Sequence, residues 1–182
     1  MPMRHPTRAR SGGFSLVEVM VALVVVSIGL LGLAKMESLA LSSTSVAGSR
    51  ALAAIQAASM ASAMHANNSY WGAGLAPAST TIYYDSTPAL QISDSGLATA
   101  ATCLTAGTGS CTPGQMAAYD VQQWAVALKQ VLPAPFATIT CNTGGFPVIC
   151  TVKVQWAENA VAGDNLQTAA LAPPTYTLFV QP

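Results

Sequence analysis

Residues 14–34 read FSLVEVMVALVVVSIGLLGLA, 21 residues with a single charged side chain, Glu18. About 20 mostly apolar residues are enough to cross the hydrocarbon core of a bilayer as a helix, so this stretch predicts one membrane span at the head of the chain. Arg4, Arg8 and Arg10 all precede it, while Lys35 and Glu37 just beyond it offset one another. The positive-inside bias then predicts a cytoplasmic N-terminus with the rest of the chain outside.

The helical pattern continues past the apolar stretch. Residues 35–66 contain no proline and one glycine, Gly48. Ala53, Ala57, Met60 and Met64 recur at helical spacing, and Leu39, Val46, Ala53 and Met60 repeat every seven residues. Ser42, Ser43, Ser45, Ser49 and Arg50 lie mostly off that stripe. The spacing predicts one continuous helix over 14–66, apolar all round in its first half and amphipathic in its second, stopped at Asn67-Asn68.

Composition agrees with a membrane-anchored chain. The protein has 182 residues, 52% hydrophobic and 8% charged, against roughly 25% charged in a typical soluble protein. The formal net charge is zero, so no basic surface argues for nucleic acid. That balance hides an asymmetry. Without residues 1–13 the chain keeps four basic residues against seven acidic ones, a formal charge of −3.

The remaining residues, 67–182, predict a globular α+β head. Residues 69–113 are loop-rich, with Gly72, Gly74, Pro77, Pro88, Gly96, Gly107 and Gly109, and Thr80–Tyr84 is a candidate short strand. Thr112-Pro113-Gly114-Gln115 is a helix start, with Thr112 as N-cap, Pro113 in the first turn and Gln115 able to reach back. Val121, Trp124, Leu128 and Val131 give that helix its apolar face, and Pro133 ends it. Val148, Cys150, Val152, Val154 and Trp156 alternate with Ile149, Thr151, Lys153 and Gln155, the period of a half-buried strand. Residues 137–141 pair with it across the turn cluster 142–145, and 175–180 form a further strand. A small antiparallel sheet packed on the second half of the long helix buries both apolar faces.

Cys103, Cys111, Cys141 and Cys150 fall in two close pairs. In a chain with an export-type N-terminus they read as two disulfides, Cys103–Cys111 and Cys141–Cys150 being favoured because each closes a short loop. Neither pair has the spacing of paired zinc ligands, so no metal is expected. There is no nucleophile–base set and no phosphate-binding glycine loop, so neither a catalytic residue nor a cofactor is assigned.

The segment Gly13-Phe14-Ser15-Leu16-Val17-Glu18 resembles the processing site of type IV pilin precursors and of type II secretion pseudopilins. It has a basic leader, a glycine, a large apolar residue, a glutamate four residues further on and an uninterrupted apolar helix, in that order. In that family a dedicated membrane peptidase cuts after the glycine and N-methylates the residue it exposes. The resemblance therefore implies cleavage between Gly13 and Phe14, N-methylation of Phe14 and loss of the leader 1–13. It also implies a type IV pilin-like fold, anchorage in the inner membrane with the head in the periplasm, and later residence in a surface filament among other minor and major pilins.

Glu18 fits that reading physically. A carboxylate inside an apolar span costs about 2.5–3.5 kcal/mol on insertion scales. The cut would create an ammonium group at Phe14, and Glu18 of one subunit could pair with the Phe14 ammonium of its neighbour, offsetting the burial and setting the axial register. The competing reading places Glu18 in the headgroup region with no specific task. Gly29 and Gly32 admit either close helix packing or simple tolerance in a membrane helix.

Further stretches resemble the minor pilins of the PilV branch, the type IV pilus modification proteins. They are SIGLLGLA at 27–34, ASAMHANNSY at 61–70, Asp120 with Trp124 followed by Leu132-Pro133, and VKVQWAE at 152–158. Many major pilins carry a proline where this chain has Lys35, which also points to a minor subunit. That resemblance implies a place in a tip complex that primes pilus assembly and supports twitching, adhesion or DNA uptake. A minor pseudopilin of a type II secretion system and a pilus-associated adhesin are the alternatives. On the residues alone, Trp124 and Trp156 read as core, Asp120 as a solvated helix residue or cap, Glu158 as a strand terminator and His65 as surface.

Overall fold

In a computed structural model, which describes residues 13, 15–87, 89–103, 111–142, 144–158 and 172–182, helix α1 runs unbroken over Leu16–Ala66, 51 residues. Its C-terminal stop falls where Asn67 breaks the pattern, and a single turn, α2 (Asn68–Trp71), follows. Strands β1 (Ser79–Tyr84) and β2 (Leu90–Ile92), the short helix α3 (Ser95–Ala98), helix α4 (Pro113–Val131) and strands β3 (Phe136–Cys141), β4 (Cys150–Gln155) and β5 (Thr175–Val180) complete the order. The chain divides into two units between Ser43 and Thr44.

In the first unit the apolar residues of α1 pack against nothing else in the chain, with Leu16 75%, Leu31 72% and Met36 71% exposed. Leu39, a member of the predicted seven-residue seam, is exposed too.

The second unit is an α+β head. Its five strands form one antiparallel sheet in the order β2-β1-β3-β4-β5. Ala53, Ala57, Met60 and Met64, the predicted stripe, are fully buried. They share the core with the inward residues of the sheet, among them Ile82, Ile139, Val152 and Val154, and with Val121, Trp124, Ala125 and Leu128 of α4. Val131, expected on the same face of α4, is only partly buried.

Local signals place α4. Thr112 Oγ1 accepts from Gln115 N at 3.3 Å while Gln115 Oε1 accepts from Thr112 N at 2.9 Å, closing a capping box around Pro113. The β3–β4 hairpin turns through Gly144, whose φ of 90° lies where a side chain is strained. Thr143, part of the predicted turn cluster, lies outside the described residues. Asn142 fastens the turn by accepting from Ile149 N at 2.7 Å and donating to Pro147 O at 3.3 Å.

The loop-rich reading of 69–113 is too sparse. The region holds α2, β2 and α3, and its Trp71 is fully buried. These elements are three or four residues long, below what periodicity can show. Asp94 caps α3 by accepting from Leu97 N at 2.9 Å, which seats Leu97 in the core.

Candidate processing and assembly site

Gly13 is exposed, and Phe14 lies outside the described residues, as does the rest of the leader 1–12. Ser15 precedes α1 and accepts at its carbonyl from Glu18 N at 3.0 Å and Val19 N at 3.3 Å, starting the helix. Glu18 is exposed on the first turn. An acidic side chain there is favoured by the unpaired N–H groups and the helix dipole, by about 0.3–1 kcal/mol. Among the described residues no ion pair involves Glu18.

The apolar stretch that follows is long and apolar enough to cross a membrane, and none of it is buried within the chain. Within it Ser27 Oγ donates to Leu23 O at 2.6 Å, so the helix satisfies that donor itself. A Cβ added at Gly29 or Gly32 would meet nothing within 4 Å. Both glycines are therefore open to a neighbouring helix.

Residues 8–34 match the family model described as the prokaryotic N-terminal methylation motif. The match supports a type IV pilin-like protein. It indicates a processed structural subunit, handled by a prepilin peptidase and associating with pilins, and it fits an inner-membrane anchor. Neither the curated proteins nor the solved structures give a match to this chain.

The head holds the other residues singled out from the sequence. Cys103 is bonded to Cys111 and Cys141 to Cys150, with Cα atoms 5.6 and 4.0 Å apart. No thiolate among them is left for a metal, and no group of three His, Cys, Asp or Glu side chains converges among the described residues. Trp124 and Trp156 are core residues, and His65 is exposed.

Two acidic residues depart from the sequence reading. Asp120 is half-buried, in a groove it shares with Gln56, Ser59, Met60 and Trp124, and burial raises its carboxyl above the ordinary value. Glu158, expected to terminate a strand, lies three residues past the end of β4. Its Oε1 lies 3.5 Å from Arg50 Nε and accepts from Ser49 Oγ at 3.4 Å, tying the segment after β4 to α1. The sequence carries no signal for this pair, because its members lie more than a hundred residues apart. Asn67 is more than a helix stop. Its side chain also donates to Pro113 O at 2.8 Å, so the end of α1 is joined to the start of α4.

Proposed function

We propose that this chain is a minor pilin of a type IV pilus. The prepilin peptidase removes leader 1–13 by cutting between Gly13 and Phe14 and methylates the Phe14 amine. Residues 14–34 hold the subunit in the inner membrane with its N-terminus cytoplasmic and its head, residues 67–182, in the periplasm. The subunit then enters the filament through its helix, beside other minor and major pilins, and helps prime assembly at the tip. The supporting observation is the placement of Glu18, four residues past Phe14, on the first turn of a helix whose membrane-length apolar stretch is wholly exposed within the chain. Burying that surface in a bilayer or among neighbouring helices is favourable by roughly 25 cal/mol per Å². The one carboxylate that this would strand would pair with the new ammonium of an adjacent subunit.

Mass spectrometry of the protein from the membrane fraction tests the cut. The expected N-terminus is N-methylated Phe14, and any other mature N-terminus removes the basis of the proposal. Glu18→Ala is expected to leave processing intact and to lower the amount of the subunit in sheared pili severalfold. Unchanged incorporation would leave Glu18 without an assembly role. The pseudopilin alternative is separated by a deletion strain, which should lose piliation or twitching and keep type II secretion.

A further inference from the structure

We infer that the outer face of the head's sheet carries a binding site for a neutral glycan, centred on Tyr83 and Phe136. The register sets one row of outward side chains across all five strands: Gln91, Tyr83, Phe136, Gln155 and Thr175. At its centre the Tyr83 and Phe136 rings lie near-parallel, 5.8 Å between centroids and 25° between planes. They are 38% and 37% exposed, on a face where a polar pair would cost nothing to solvate. The two glutamines flank them and are oriented. Gln91 Nε2 donates to Asp85 Oδ2 at 3.2 Å, and Gln155 Nε2 donates to Thr175 Oγ1 at 3.4 Å. Each thereby keeps its amide carbonyl to accept from a ligand hydroxyl. Beside the row, Phe136 and Gln155 also line a hollow of about 380 Å³ with Ala134, Trp156, Ala157 and Pro173.

The chemistry of this face selects among ligands. Its other outward residues are mainly hydroxyls: Ser79, Thr81, Thr138, Thr140, Thr151 and Thr177. Lys153 is the one charged side chain among the outward strand positions, and Asp85 at the margin has both oxygens engaged. A phosphate-rich or strongly anionic ligand would find one cation, so nucleic acid is disfavoured. An extended peptide adds to a sheet at a free edge. Tyr83 and Phe136 stand on β1 and β3, interior strands whose backbone groups are used on both sides. A neutral sugar needs what the row offers: flat apolar rings for its C–H face, amide and hydroxyl groups at the rim, and a hollow beside them for a second residue of the chain. This site goes beyond the pilin reading and would stand without it.

The test is calorimetric titration of the mature full chain, in a detergent without a sugar headgroup, with chitotriose, cellotriose and maltotriose. At least one is expected to bind in the millimolar range or tighter. Tyr83→Ala should weaken it by about tenfold while the chain stays folded, as expected for loss of one stacking ring. Gln155→Ala, at a partly exposed amide, should weaken it severalfold and serves if the aromatic variant misfolds. No heat from any of the three, or affinity unaltered in both variants, overturns the inference. So does binding of a proline-rich peptide in place of the sugars.

Discussion

Asp120 shows how one half-buried carboxyl can make the head less stable as pH rises toward neutrality. Burial raises its pKa, so the folded chain holds this proton more tightly than the unfolded chain does. The stabilisation from that proton is complete below the ordinary carboxylate pKa and is lost as pH rises through the raised one. At neutral pH the ionised group therefore costs stability. Asp120→Asn is expected to raise the urea midpoint near pH 7, with the gain vanishing below about pH 4. A gain that persists in acid would mean altered packing instead of a relieved charge. Trp124, its neighbour in the same groove, makes a different point. Its Nε1 donates to Gln56 O at 2.8 Å, whereas the buried Nε1 atoms of Trp71 and Trp156 have no partner among the described residues. Trp124→Phe should lose about 1 kcal/mol for that bond. Guanidinium unfolding of the mature protein measures it, and Trp71→Phe, which breaks no such bond, is the comparison.

Among the elements, legibility follows the range of the forces that build them. Helix α4 could be read from four consecutive residues because its cap is local. Thr112→Ala should cost about 1 kcal/mol in a denaturation curve, while Thr112→Asn, another good cap, should be close to neutral. The β3–β4 hairpin was legible for the same reason, its alternation and turn cluster both being short-range. Its disulfide joins residues paired directly across the ladder, Cys141 and Cys150. Replacing both by alanine should destabilise the head by about 2–3 kcal/mol, the loop-closure entropy returned to the unfolded chain. A loss far below that would mean that Asn142 and the ladder already hold the turn. Strand β2 and helices α2 and α3 could not be read in this way. They are too short for a period to register, and their place depends on distant partners, such as Gln122 Nε2 donating to Leu97 O and Thr99 O, both at 2.9 Å. The site divides likewise. Gly13, Phe14 and Glu18 stand within one short motif, whereas Tyr83 and Phe136 meet only through the register of β1 on β3.

At the scale of the whole molecule, charge distinguishes the possible fates of the N-terminus. The full chain has a formal charge of zero and a sequence pI of about 6.7. A cut before Phe14 removes Arg4, Arg8 and Arg10 and no acidic residue, leaving a formal charge of −3, yet it keeps every apolar residue of α1. The processed protein should therefore focus at a clearly more acidic pH and still resist extraction from membranes by alkaline carbonate. The alternatives separate on the same two readouts. An uncut anchor would remain in the membrane near the original pI. Cleavage after Ala40, as for an ordinary secretion signal, would remove the span and release the head into the soluble fraction. Of these three fates, only the Gly13–Phe14 cut combines an acidic shift with membrane retention. In an otherwise wild-type strain, Gly13→Ala is expected to abolish the shift and leave membrane retention untouched, because the glycine is wanted by the peptidase and not by the helix. If the variant loses its membrane association as well, residues 14–34 are not the anchor.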